Sequence, residues 1–174
     1  PVEKVKYTKK LISESFPKKP VEVVPGGSTR QASAYNALRY LEQGMSPLPY
    51  VVFHDAARPL ISSASIEKVY KSAQRYDGAV LAAPAVDLCF YAENSIIRRS
   101  LDKEKTFLGQ TPQCFKFKDI LSAHKKVKDS NSSVDNVDLL LQTLPGATIK
   151  IVPSDSPNLK ITYKHDIELL KGIV

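Results

Sequence analysis

The chain has 174 residues, 43% of them hydrophobic and 25% charged, and its 25 Lys+Arg against 18 Asp+Glu leave a formal charge of +7. A globular chain of this length buries about 70% of its unfolded surface, so it builds one real core without disulfide or metal staples; disordered, collagenous and disulfide-scaffold classes are excluded. No apolar run approaches the roughly 20 residues of a membrane span, and no signal-peptide pattern opens the chain.

Val2, Val5, Leu11, Ile12 and Phe16 recur at helical intervals, which predicts an amphipathic helix over 3–16, stopped by Pro17 and Pro20. Val21–Val24 reads as a short strand, with Pro25-Gly26-Gly27-Ser28 as the turn after it. Residues 29–43 read as helix with Ala34, Ala37, Leu38 and Leu41 inward and Gly44 past its end. The continuous apolar run Tyr50–Phe53 reads as a strand buried on both faces. Ser63 is expected to cap a helix to about Tyr76, followed by a strand at Ala79–Ala83. Strands alternating with helices in this way predict an α/β fold with a mainly parallel sheet flanked by helices.

From Pro84 to about Thr106 the pattern changes. Alternating β-branched and polar residues around Asn94-Ser95 and Ile96-Ile97-Arg98-Arg99 predict a protruding hairpin arm. Helices near 116–128 and 134–144, a strand at Thr148–Val152, a turn through Pro153–Pro157 and a last helix from about Lys164 complete the chain. Without repeats, low-complexity tracts or linkers, residues 1–174 read as one domain.

The basic charge is concentrated. Residues 1–20 hold six lysines and two glutamates, and residues 116–128 hold five lysines and one aspartate, so each segment carries +4 and the remainder is close to neutral. Lysines at helical spacing, without interleaved aromatics for base stacking, read as solvated faces and disfavour nucleic acid. Cys89 and Cys114 are too far apart for a Cys-x-x-Cys site and read as buried thiols of a reduced cytosolic protein.

Parallel α/β sheets bind ligands beyond the carboxyl ends of their strands, so polar residues there are the candidates for chemistry. Gly26-Gly27-Ser28-Thr29-Arg30-Gln31-Ala32-Ser33 allows close backbone approach and offers a helix start to an anion or base edge. His54-Asp55-Ala56-Ala57-Arg58-Pro59 puts a carboxylate at the end of a buried strand, where it can hold Mg²⁺ against phosphates. Arg58 is read as pairing with a nearby carboxylate to fix that loop, and His54 as a packed or hydrogen-bonded residue. Gln110-Thr111-Pro112-Gln113 reads as a polar turn before a helix. In Asn158-Leu159-Lys160-Ile161-Thr162, Lys160 sits between apolar residues and in a strand would point opposite to them. No Gly-x-Ser-x-Gly, Walker loop, Gly-x-Gly-x-x-Gly or zinc spacing is present.

Together with Ala82-Ala83-Pro84-Ala85-Val86-Asp87, these motifs stand in the order and spacing of one family. From about residue 21 the chain resembles the methylerythritol-phosphate cytidylyltransferases of isoprenoid precursor synthesis and their relatives the ribitol-phosphate cytidylyltransferases. The resemblance implies a Rossmann-like nucleotidyltransferase sheet and transfer of a cytidylyl group from CTP to a sugar-alcohol phosphate. It implies release of pyrophosphate with Mg²⁺ as the cofactor, and a cytoplasmic compartment is expected from the reduced thiols. It further implies that Gly27, Ser28 and Ser33 hold the cytidine, that Asp55 and Ala56 lie beside ribose, phosphates and metal, and that Arg58 is structural. Thr111 and Lys160 would face the sugar-alcohol phosphate and the α-phosphate, with Asp55 and Lys160 as the catalytic pair. Residues 86–105, with Asp87 and Lys103, would be an arm that completes a neighbouring subunit's site in a homodimer.

The chain departs from the family pattern at several points. Leu88 stands where a Thr is usual, Asp102-Lys103 where Asp-Arg is usual, and Val134 where a Thr is usual. The first and last remove hydroxyls, and the second exchanges a bidentate phosphate fork for a point charge. The family also opens with a strand and a Gly-rich loop bearing Arg and Lys, whereas Pro1 begins beyond that region, so the chain is expected to be N-terminally incomplete. A ribitol-phosphate enzyme and a non-catalytic nucleotide-binding relative are the alternatives.

Overall fold

The computed structural model describes residues 2–44, 48–127, 135–154 and 157–173. In chain order its elements are α1 (Val5–Ser15), α2 (Arg30–Gly44), β1 (Tyr50–Phe53), α3 (Ser63–Ala73), β2 (Gly78–Pro84), β3 (Phe90–Glu93), β4 (Ile96–Ser100), β5 (Phe107–Lys116), α4 (Phe117–Lys126), α5 (Asn136–Thr143), β6 (Ile149–Pro153) and α6 (Lys164–Ile173). They fall into two compact units, Pro1–Pro49 with Phe117–Ala147, and Tyr50–Lys116 with Thr148–Val174.

The second unit holds the sheet, in the order β1-β5-β2-β6. β5 pairs antiparallel with β1 and with β2, while β2 pairs parallel with β6. β1, β2 and β6 therefore share one direction and β5 alone runs against them. Three of the four strands point one way, as expected of this α/β sheet, although both pairings of β5 are antiparallel; Gln110–Gln113, read from sequence as a turn, lies inside the ten-residue strand β5. Pro is a weak strand former, and of this stretch only Gln113 stands in register with both β1 and β2, so the strand is set by the surrounding fold rather than by local preference. β1 is also not buried on both faces. Among the described residues it pairs with β5 alone, and Val52 is 39% exposed.

One sheet face and one helix make the core of this unit. Val69 and Ala73, four residues apart on α3, pack with Ala79 and Leu81 of β2, Cys114 of β5 and Val152 of β6. The registers Ala79↔Cys114 and Leu81↔Val152 put those strand residues side by side on the same face. Burial pushes the Cys114 thiol up to about 11, so it is an inert core residue; Cys89, read from sequence as equally buried, is only half-buried. On the opposite face, Gly78 lies across from fully buried Phe115. A Cβ at Gly78 would stand 2.5 Å from the ring, so glycine is the residue that fits there. α3 begins one residue earlier than predicted, because Ser62 is its cap and accepts the Ser65 N–H at 3.1 Å.

In the first unit α4 packs against α2 and α5. Buried His124 stacks on Tyr35 of α2 at 6.2 Å and lies 3.2 Å from Asn136 Oδ1 of α5, and its burial lowers its pKa. α1 has no buried residue, and Tyr7 and Phe16 are 66% and 59% exposed. Among the described residues most lysines of the two basic segments are exposed, as expected, while Lys116 and Lys125 are ion-paired, Lys125 Nζ lying 2.6 Å from Glu42. Val21–Val24 is not a strand. No described strand pairs with it, so its backbone groups enter no ladder. Val134 lies outside the described residues.

The arm is an isolated two-stranded sheet, β3 with β4. Asn94 and Ser95 adopt φ of 50° and 63°, the two left-handed residues of a tight hairpin turn. Every residue of both strands is exposed.

Asp77 ties three strand ends together. Its carboxylate accepts Lys116 Nζ at 2.9 Å, the Thr148 N–H at 2.9 Å and the Thr148 hydroxyl at 3.0 Å, and these bonds hold its pKa at about 2 against an ordinary 3.8. A depressed carboxyl pKa gives stability that is present above pH 3.8 and lost as the pH falls towards 2. Asp77→Asn in the full-length protein is expected to lower unfolding free energy at neutral pH by about 1–2 kcal/mol. In urea unfolding across the acid range, the gap between variant and wild type should close from pH 4 down to about 2. A gap independent of pH would show that the carboxylate contributes nothing.

Candidate active site

The candidate residues of the first unit form a loop folded back on its helix. Thr29 caps α2 by accepting the Ala32 N–H at 3.0 Å. Ser33 Oγ accepts the Gly27 N–H at 2.9 Å and donates to the Thr29 carbonyl at 2.9 Å, so both its capacities are used in holding the loop. Asn36 Nδ2 donates to the Pro25 carbonyl at 3.3 Å. The loop lies so close to α2 that a Cβ at Gly27 would meet the Ala32 Cβ at 2.4 Å and the Ala32 carbonyl carbon at 2.9 Å. Ser28 is exposed at the bend. Glycine at 27 is thus required by close approach, and Ser33 acts through the loop's shape.

In the second unit three segments converge at the carboxyl ends of β1 and β6. Because β5 runs the other way, its Gln110-Thr111 stretch meets the residues leaving those strands. The Asp55 N–H donates to Thr111 Oγ1 at 3.0 Å, and Thr111 Oγ1 lies 3.1 Å from His54 Nδ1. His54 Nε2 lies 3.0 Å from the Arg58 carbonyl oxygen. A carbonyl only accepts, so Nε2 carries the proton in the neutral ring; Nδ1 is then the acceptor of the Thr111 hydroxyl. The Arg58 N–H closes the turn onto the Asp55 carbonyl at 2.9 Å.

The segment after β6 is bound to the same turn. Arg58 Nη1 donates to the Asn158 carbonyl at 2.7 Å, and the Ile161 N–H donates to the Ala57 carbonyl at 2.8 Å. Buried Asn158 gives its amide to the Thr111 carbonyl at 2.8 Å and to Gln110 Oε1 at 3.0 Å. Residues 157–162 are not a strand, contrary to the setting in which Lys160 was read. Lys160 nevertheless reaches the site, with Nζ 3.3 Å from Asp55 Oδ2. Arg58 Nε is 3.8 Å from the same oxygen, and burial lowers the arginine's pKa while Asp55 opposes that shift. One carboxylate at 22% exposure therefore stands between two cations.

The sequence-predicted residues divide accordingly. Asp55, Arg58, Thr111 and Lys160 are brought together, with Ala56 in the turn itself. Asp87 and Lys103 lie exposed on the arm and make no described bond to that cluster. Asp102 instead caps the short helical turn at Lys103–Lys105, accepting the Glu104 N–H at 3.1 Å. His54 is hydrogen-bonded, as read from the sequence, but its partners 57 and 4 residues away were not legible there. Asn158, given no role of its own in the sequence reading, had a readable signal, a polar residue opening an otherwise apolar segment. Among the described residues no group of three His, Cys, Asp or Glu side chains could hold a metal. A lone carboxylate facing a ligand's phosphates is nonetheless the donor set Mg²⁺ takes in nucleotide sites, and Asp55 fits it.

Gly27→Ala forces backbone movement, because its new Cβ would meet main-chain and Cβ atoms of α2. Its expected cost is about 1–3 kcal/mol in urea unfolding. Gly26→Ala, whose Cβ would meet only the Ser33 side chain at 3.0 Å, should cost clearly less. Equal midpoints for the two variants would contradict this account of the loop.

The family model for IspD, 2-C-methyl-D-erythritol 4-phosphate cytidylyltransferase, matches residues 2–174. The protein of that name from Pelotomaculum thermopropionicum is 35% identical over 158 residues, covering 90% of this chain and 65% of the relative. Its namesake from Dictyoglomus thermophilum is 34% identical over 175 residues, covering 99% and 74%. Among solved structures, 2-C-methyl-D-erythritol 4-phosphate cytidylyltransferase from Francisella tularensis superposes with a TM-score of 0.75 at 28% identity, covering 86% of this chain and 70% of that one. The synthase from Anaerococcus prevotii, at 23% identity, shares the fold with a TM-score of 0.85 over 97% of this chain and 73% of that one. The chain thus spans between about two thirds and three quarters of the length of these relatives. By the extent of the family match and the identity to its curated members, the chain belongs to the IspD family of cytidylyltransferases.

Proposed function

We propose that the protein bearing this chain transfers a cytidylyl group from CTP to a sugar-alcohol phosphate, with 2-C-methyl-D-erythritol 4-phosphate as acceptor and pyrophosphate as the second product. A phosphate oxygen of the acceptor attacks the α-phosphorus of CTP. The bond from that phosphorus to the bridging oxygen breaks, and its electron pair leaves with pyrophosphate. Such a reaction needs positioning and charge neutralisation rather than a covalent nucleophile. The observation that carries the reading is the Asp55 carboxylate, 3.3 Å from Lys160 and fixed in a cross-braced turn.

In this reading Asp55 holds Mg²⁺, which when bound neutralises phosphate charge and steadies the developing pyrophosphate. Lys160 supplies a mobile cation to the α-phosphate and acceptor phosphate, and Arg58 is structural. Gly27, Ser28 and Ser33 shape the loop that takes the cytidine. Thr111, 3% exposed with its hydroxyl engaged on both sides, acts by holding the Asp55 turn. Asp87 and Lys103 contribute from the arm, whose exposed Val86, Leu88, Ile96 and Ile97 suit burial against a second subunit. That contact would make the enzyme a homodimer. No described helix is long and apolar enough to cross a membrane, and with CTP as donor the compartment in this reading is the cytoplasm.

Leu88 and Lys103, which replace a hydroxyl and a guanidinium of the family pattern, both fall on the acceptor side, so ribitol phosphate is the second acceptor to try. Full-length protein should release pyrophosphate from CTP and Mg²⁺ with one of the two acceptors. Asp55→Asn should abolish more than about 99% of turnover, consistent with loss of a group aimed at transition-state charge, and leave the circular dichroism spectrum unchanged. Wild-type turnover in that variant, or no release with either acceptor, would refute the assignment.

A further inference from the structure

We propose that His54 is a positioning residue for this reaction, acting as a neutral Nε2–H imidazole that braces the Asp55–Arg58 turn at both ends; the inference rests on the cytidylyl-transfer reading. The bonds form a closed ring. The Asp55 N–H donates to Thr111 Oγ1 at 3.0 Å, Thr111 donates its hydroxyl to His54 Nδ1 at 3.1 Å, His54 Nε2–H donates to the Arg58 carbonyl at 3.0 Å, and the Arg58 N–H returns to the Asp55 carbonyl at 2.9 Å. Of the two tautomers of the neutral ring, only the one with hydrogen on Nε2 gives every donor in the ring an acceptor.

The ring matters because a threonine hydroxyl is a rotor. By accepting its proton, His54 turns a lone pair of Thr111 Oγ1 towards the Asp55 N–H and so fixes the main chain from which the carboxylate projects. At the same time it holds the Arg58 carbonyl and thereby the arginine that reaches Asn158 at 2.7 Å. The carboxylate lies 3.3 Å from Lys160 and 3.8 Å from Arg58, so a small rotation about the Asp55 backbone alters its distance to both cations. His54 itself is exposed whereas Thr111 is buried, so its removal opens no core cavity. A brace of this kind predicts lost turnover with little lost stability, which a packing role would not.

The experiment combines kinetics and imidazole NMR on the full-length protein. His54→Ala is expected to lower kcat about 10–100-fold, the usual effect of removing an orienting partner, with KM for CTP little changed. His54→Gln, which keeps an acceptor and an N–H donor, should recover part of the loss, and added imidazole should partly rescue His54→Ala but not Thr111→Val. The double variant His54→Ala/Thr111→Val should be no slower than Thr111→Val, because both break one ring. In wild-type protein the ¹⁵N imidazole resonances of His54 should show the Nε2–H tautomer, and Thr111→Val should shift Nδ1. An Nδ1–H tautomer overturns the proposal whatever the activity, and so does wild-type kcat in His54→Ala. If the reaction itself were wrong, wild-type protein would release no pyrophosphate, and the tautomer and its response to Thr111→Val would then decide the brace alone.

Discussion

The second unit depends on β5 running against its neighbours. A strand so oriented lends one edge to β1 and the other to β2, and it carries residues of both to the same end of the sheet. Lys116 at its close pairs with Asp77, and Cys114 enters the core with Ala79. Thr111 holds Asp55 by its hydroxyl and Asn158 by its carbonyl. The β1 and β6 exits are also bonded to each other directly, Arg58 to the Asn158 carbonyl at 2.7 Å and Lys160 to Asp55 at 3.3 Å, and Thr111 gives them a common partner.

Charge is handled in the site by asymmetry of exposure. Arg58 has 12% of its side chain exposed, and two internal contacts commit it, one to a carbonyl and one to a carboxylate. Lys160, at 48%, keeps the freedom to leave Asp55. A buried cation costs desolvation that its carboxylate only partly offsets, which the lowered pKa of Arg58 expresses. In the proposed reaction the half-exposed lysine would turn from Asp55 to an incoming phosphate, leaving the buried arginine as the fixed cation.

Glycine, scarce in this chain, is placed by contact. At Gly78 a facing aromatic fills the space of a side chain, and at Gly27 the next helix does. Both positions bring backbone close to another element, one to close the core and one to fold the loop that opens α2. Ser33 completes the second by bonding the loop's N–H and the Thr29 carbonyl together.

The sequence by itself determined the helices, the arm and the α/β class, because 3.6-residue periodicity, Asn94-Ser95 and apolar runs are local signals of backbone preference. It also determined the motifs, and with them the family and the candidates Asp55, Arg58, Thr111 and Lys160. Only the tertiary structure decided that Gln110–Gln113 is a strand and that Val21–Val24 is not, since those outcomes depend on which backbone groups find partners elsewhere. It likewise decided what His54 and Asn158 do. Their side chains act by hydrogen bonds to residues distant in the chain, and a hydrogen bond leaves no periodicity to read until folding brings donor and acceptor within about 3 Å.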